Sequence, residues 1–205
     1  MLPSIVALGP GTWVAERRSL LTRIARLRVA LGFVCGAAVL GLAEPTAMSL
    51  ALGLAIGACG EAIRFWAAGH LNKSREVTSS GPYRWCAHPL YVGSSVIGVG
   101  LAVASANLVV AALIAIYLTV TLTAAIRTEE LFLRRTFGDR YKRYKDGVVP
   151  DVRRERGGAA SDRPFSLAQA RANREYRALI GLGAATLLLV LKATYHGIFW
   201  RTTGL

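Results

Sequence analysis

What this chain has little of narrows its class before any motif is read. It holds three cysteines, an odd number, with Cys35 and Cys59 inside apolar runs, Cys86 alone and no CxxC pair. That pattern excludes a disulfide framework and a thiolate zinc site. Aromatic residues make up 8%, too few for a platform that stacks single-stranded nucleic acid. Acidic residues number 12 against 25 Lys and Arg, leaving a net charge of +13. Such an excess would suit nucleic acid, but here it accompanies a mean hydropathy of +0.40, and a basic nucleic-acid face needs polar surface around it. With 53% apolar residues, disorder is excluded for most of the chain. At 205 residues there is room for one domain, and the mixture of apolar stretches and basic loops is that of a membrane protein.

The most informative absence is of charge. Residues 85–126 contain no Asp, Glu, Lys or Arg. As one straight helix they would extend about 60 Å, roughly twice the ~30 Å hydrocarbon core of a bilayer. The stretch must therefore fold back, and Ser105-Ala106-Asn107, the one polar interruption near its middle, supplies the turn of a helical hairpin. Further apolar stretches lie at 29–43, at 47–69 (interrupted by Glu61 and Arg64) and at 178–200 (interrupted by Lys192 and His196). The expectation is an all-α polytopic membrane bundle of about five transmembrane helices with a helical hairpin; if the chain does chemistry, its cytoplasmic loops are the catalytic ones.

The division expected along the chain is a basic interfacial arm over 1–28, a membrane core over 29–156, a linker over 157–165, and a surface helix over 166–205 that continues into the last span. In the arm, Trp13, Leu20, Leu21, Ile24 and Leu27 alternate with Arg17, Arg18, Arg23 and Arg26. This spacing suits an amphipathic helix in the membrane interface, or a basic arm without special function. Residues 1–12 lack the basic start of a signal peptide. Ser166 and Gln169 match the start of a capping box. Of the 25 basic residues, 22 fall in 1–28, 70–84 and 127–177. Five spans place these on one side, so the positive-inside rule puts the N-terminus in the cytoplasm and the C-terminus outside.

Two polar clusters flank the hairpin. Gly81-Pro82 marks a turn, and Pro89 suits the first turn of a helix, where a missing N–H breaks no hydrogen bond. His88 and Tyr91 then share one helical face. The second cluster, from Arg127 to Tyr144, holds the Glu129-Glu130 pair. Because the two ends of a hairpin return to one side, the clusters should meet.

Gly81-Pro82-Tyr83-Arg84, then His88-Pro89-Leu90-Tyr91-Val92-Gly93, a hairpin, Glu129-Glu130 and Phe137-Gly138-Asp139-Arg140-Tyr141-Lys142-Arg143-Tyr144 resemble the isoprenylcysteine carboxyl methyltransferases and the wider group that includes the phospholipid N-methyltransferases. The resemblance covers roughly residues 57–150. It implies an integral-membrane enzyme that uses S-adenosylmethionine without a Rossmann domain, with a lipophilic acceptor entering from the bilayer. It further implies cofactor contacts at Gly81, Pro82, Tyr83, Arg84, His88, Pro89, Tyr91, Glu129, Glu130, Tyr141 and Tyr144, and catalytic roles for Arg127 and Glu130. An arginine such as Arg127 can orient an acceptor carboxylate through paired hydrogen bonds. Two positions depart from the family pattern: Ala87 stands where relatives usually carry Arg, and Val149-Pro150-Asp151 stands where they tend to end Val-Pro-Arg.

Plainer readings stand beside these. His88 can cap a helix at the membrane rim, and Glu129 and Glu130 can be solvated charges. Glu61 and Arg64, three apart, suit a structural ion pair, since an isolated charge at mid-bilayer costs roughly 2.5–3.5 kcal/mol. Gly53, Gly57, Gly93, Gly98 and Gly100 suit close helix packing. Lys192 and His196 suit interface anchoring, and the histidines are too scattered for a metal site. Two alternatives to methyl transfer remain at this stage: an NADPH-dependent membrane reductase of sterol- or isoprenoid-like substrates, and a catalytically silent membrane module.

Overall fold

The structure, a computed structural model, describes residues 27, 30–73, 76–147 and 164–195. The arm apart from Leu27, most of the linker, His196 and the C-terminal tail lie outside the described residues. Those described are helical, with no strand among them. Their order is α1 (Ala30–Leu42), α2 (Ala47–His70), a short 3-10 turn (Gly81–Arg84), α3 (Pro89–Ser105), α4 (Leu108–Lys145), α5 (Leu167–Ala172) and α6 (Tyr176–Tyr195). The five apolar helices α1, α2, α3, α4 and α6 fall where five spans are expected. Three of them (α2, α4 and α6) are long and apolar enough to cross a bilayer, while α1 and α3 are shorter. Side chains such as Phe33, Met48, Leu108 and Ile180 stand exposed on the bundle's outside, which suits lipid as the surrounding solvent.

The hairpin closes at the residues the sequence marks. Ser105 ends α3, Ala106 takes a left-handed conformation with φ 48°, and the Asn107 side chain accepts from the N–H groups of Val109 and Val110 to cap α4. The turn before α2 lies at the same end, where Glu44 N–H donates to Ser105 O at 2.8 Å. Thr46 and Ser49 form a reciprocal capping box on α2, satisfying two of the donors that a helix start leaves free.

Glycines set the α2–α3 interface. A Cβ added at Gly53 would lie 2.5 Å from Gly100 O, one at Gly60 2.7 Å from Gly93 O, and one at Gly100 2.6 Å from Gly57 N. The backbones therefore meet where side chains would hold them apart. Without a hydrophobic force between helices in lipid, such contact is what draws them together.

The last segment departs from expectation. Ser166 does cap α5, accepting from Gln169 N–H, but the helix does not run on into the last span. It breaks at Asn173–Glu175, with Arg174 left-handed at φ 59°. The Gln169 amide, which would complete a capping box, donates to Leu71 O instead, and Asn173 Nδ2 donates to Ala68 O and Leu71 O. These side chains satisfy the carbonyls left open at the C-terminal end of α2 and hold α5 against it.

Candidate active site

The charged end of the bundle gathers what the hairpin topology promises. His88 occupies the N-cap position of α3, yet its side chain makes no capping bond. Its ring faces the acidic pair across the hairpin: Nδ1 lies 3.8 Å from Glu129 Oε2 and Nε2 lies 3.5 Å from Glu130 Oε1. Both contacts are longer than a normal hydrogen bond. Tyr91 stacks obliquely beside the imidazole, with ring centres 5.7 Å apart.

The Gly81–Arg84 turn is shaped by a residue whose part the sequence does not reveal. Gly81 has φ 56°, and a Cβ there would lie 2.7 Å from the His70 ring. His70 is buried, its Nδ1 3.0 Å from Trp66 O. A glycine is therefore required both by the backbone angle and by the close approach of the ring.

The uncharged, membrane-crossing part of α4 ends near Ile126, and the helix continues as a charged extension. At Gly138 its backbone kinks (φ 48°, ψ −123°). Beyond the kink, Tyr141 is buried, Tyr144 Oη donates to Tyr83 O at 2.7 Å, and Lys145 contacts Glu130. Burial pushes the Glu130 carboxyl up, but Lys145 and His88 beside it outweigh that and hold it below the usual carboxylate range. The Tyr83 phenol is raised well above its ordinary value, by burial first and then by the Glu129 carboxylate. It stays neutral and able to donate.

Two adjoining cavities open here. One of about 410 Å³ is walled by Tyr83, Tyr91, Glu129, Tyr141 and Tyr144 together with residues 71–73 and 76–78. The other, about 540 Å³, is walled by Tyr83, His88, Tyr91 and Glu129 and reaches along α3 and α4 to Arg64, Ser94 and Tyr117. Ala87 and Lys73 border both. Below them an apolar slot of about 580 Å³ lies between α1, α3, α4 and α6, and Ser94, Tyr117 and Leu118 line both slot and cavity. His88 Nε2 and the Tyr141 hydroxyl are shielded from solvent without a hydrogen-bond partner.

Other expected site residues are placed elsewhere. Gly81, Pro82 and Pro89 shape the backbone beneath the cavities without lining them, and Arg84 and Arg127 are exposed and border neither. Glu130 touches His88 from behind the wall. The expected Glu61–Arg64 pair is present at 3.8 Å, but Glu175 comes closer, its Oε1 2.7 Å from Arg64 Nε. Glu175, Ser94 and Tyr117 belong to no motif read from the sequence. Among the described residues, no group of three or more His, Cys, Asp and Glu could hold a metal ion.

These helices and this charged, cavity-bearing end are those of an integral membrane protein. Residues 54–140 match the phospholipid methyltransferase family model, and the chain belongs to that family. It is similar to the nickel-cobalt-cadmium resistance protein NccN of Alcaligenes xylosoxydans xylosoxydans, at 35% identity over 138 residues, 62% of this chain and 64% of that protein. It is also similar to the cobalt-zinc-cadmium resistance protein CzcN of Cupriavidus metallidurans, at 31% identity over 147 residues, 66% of this chain and 67% of that one. The chain thus spans somewhat under two thirds of the length of the first relative. No solved structure matches it.

Proposed function

We propose that the chain is an S-adenosylmethionine-dependent methyltransferase that acts at the cytoplasmic face of a membrane on a lipophilic acceptor, an isoprenylcysteine-type carboxylate or a similar group. Family membership supports methyl transfer as the reaction. The observation that carries the reading is the placement of His88 and the Glu129–Glu130 pair beside two adjoining cavities, one continuous with an apolar slot.

The residues present suit the cofactor. Volumes of about 410 and 540 Å³ fall in the range of small-molecule sites. Tyr83 and Tyr91 offer aromatic faces to a sulfonium cation. Glu129 can accept hydrogen bonds from an amino or ribose group, and the buried Tyr141 hydroxyl, which has no hydrogen-bond partner, is a polar atom left for a ligand. Bound there, S-adenosylmethionine supplies a methyl group already activated by its positive charge. What remains for the protein is to hold an acceptor close and aligned and to keep water out. Tyr141 and Tyr144, folded back by the Gly138 kink, cover the site. Glu130, kept ionised by Lys145, holds His88 in register with the wall. An acceptor carboxylate needs no base; an amine or thiol would find the imidazole of His88.

The relatives carry names of metal resistance, and nothing in the site described draws on that. Transfer of a labelled methyl group from S-adenosylmethionine to total membrane lipids is the direct test. Label in the lipid fraction is the expected result, while none with any lipid pool, in protein that is folded, would refute the reading.

A further inference from the structure

Arg64 stands at the junction of the polar cavity and the apolar slot. Three elements pin it. Nη1 donates to Ser94 Oγ at 2.5 Å and lies 3.4 Å from Leu90 O, both on α3. Nε faces Glu175 at 2.7 Å, from the turn before α6, and Glu61 at 3.8 Å from α2 itself. The Glu175 contact lacks the straight N–H···O geometry of a hydrogen bond, so the attraction is mainly that of charge. The side chain keeps 20% of its surface open, and Ser94 and Leu90 beside its terminal edge line the same cavity as Arg64.

The charges around it are unbalanced. The wall of the larger cavity carries Arg64, Lys73, Arg174 and Arg177 against Glu129 and Glu175. Glu61 and Glu175 face Arg64 itself, and the surplus of positive charge comes from Lys73, Arg174 and Arg177, which are exposed on the same cavity wall. A cavity lined by a surplus of one sign favours a ligand of the other, and a guanidinium is suited to carboxylate or phosphate oxygens. Ser94, bonded to Arg64, also lines the slot, so an oxygen anion at Arg64 would sit where an aliphatic tail begins.

We infer that Arg64 is the residue that selects the acceptor, binding the carboxylate or phosphate of a single-tailed anionic amphiphile whose tail lies in the slot between α1, α3, α4 and α6. This rests on the methyl-transfer reading only for calling the ligand an acceptor. Glu175 and Ser94 are positioning residues that fix the guanidinium at the junction.

The experiment is binding to the purified full chain in an uncharged detergent, with dodecanoate, dodecyl phosphate, dodecanol and dodecyltrimethylammonium as probes and S-adenosylhomocysteine measured in the same preparation. At least one anionic probe should bind saturably and at least tenfold more tightly than the neutral and cationic ones; which anion binds better identifies the head group. Arg64→Gln should weaken that anion about tenfold or more, and Arg64→Lys should recover part of it, with S-adenosylhomocysteine binding as in the parent. Gly36→Phe and Gly181→Phe test the slot without touching Arg64, because both glycines line it and a Cβ at either meets nothing within 4 Å. Each should weaken the anionic probe while leaving the melting temperature in place. Equal binding of cationic and anionic probes would overturn the inference, as would anion binding by Arg64→Gln at the parent's strength. If Arg64→Gln does not fold, undiminished binding in both phenylalanine variants overturns it. Anion binding without S-adenosylhomocysteine binding would instead count against the methyl-transfer reading and leave Arg64 as an anion site.

Discussion

The two ends of the bundle treat their polar groups differently. At the end holding the 43–46 and 105–107 turns, helix starts are closed by side chains of their own: Thr46 with Ser49 on α2 and Asn107 on α4. Lys192 of α6 donates to Leu40 O and Gly41 O at the last turn of α1. The small apolar core of Ala43, Leu50, Ala104, Leu189 and Ala193 packs beneath. At the charged end, atoms of Glu61, Arg64, His88, Tyr141 and Glu175 are shielded from solvent without completed hydrogen bonds. Buried polar groups are normally satisfied, and leaving one unmet costs roughly 1–3 kcal/mol. One end is closed by completed caps, and the other holds Glu61 and Glu175 against Arg64 and His88 against Glu130, leaving the Tyr141 hydroxyl without a partner where the cavities open. That contrast supports the charged end as the candidate site.

Five changes would break or sharpen it. The largest effect should come from the interface that holds both ends together. Gly100→Leu places a side chain 2.6 Å from Gly53 O and Gly57 N, backbone atoms that cannot yield. A loss of about 3 kcal/mol, seen as a collapse of the thermal transition in detergent, is expected, with ligand binding lost alongside. Next are His88→Ala and Glu130→Ala. Each should weaken S-adenosylhomocysteine binding about tenfold, or about 1.4 kcal/mol, while leaving the melting temperature close to the parent's. A large drop in melting temperature in both would mean that this cluster serves the fold.

At the closed end the pattern should reverse. Lys192→Met removes two bonds to the α1 carbonyls, so stability should fall by about 1 kcal/mol with S-adenosylhomocysteine affinity untouched. Asn107→Ala removes the α4 cap, and a loss of roughly 0.5 kcal/mol, at the low end for caps, should again spare binding. Altered ligand affinity in either variant would erase the distinction between the ends.

The sequence discloses one kind of feature and hides another. The spans, the hairpin turn at Ser105-Ala106-Asn107 and the packing role of Gly53 and Gly100 were legible because each leaves a local mark: missing charge, a polar break, a small residue. The approach of His88 to Glu129 and Glu130 was also foreseeable, since a hairpin maps positions on one arm to positions on the other. Glu175 gives no such sign. It lies 111 positions from Arg64, beyond the linker, and only the docking of α5 by Gln169 and Asn173 brings it in. Lys192 read as an interface anchor because its α1 partners are carbonyls, which no side-chain pattern reveals. The break at Asn173–Glu175 was hidden for the same reason: Gln169 and Asn173 are spent on α2 rather than on their own helix. Arg127 shows the limit of transfer by motif, since it stands where the motif suggests but borders neither cavity.

The most direct measurement is titration calorimetry of the purified chain in detergent, with S-adenosylhomocysteine and, separately, NADPH. Saturable binding of S-adenosylhomocysteine and none of NADPH is the predicted result. NADPH binding alone, or binding of neither by folded protein, would contradict the assignment of the hairpin base as a methyl-donor site.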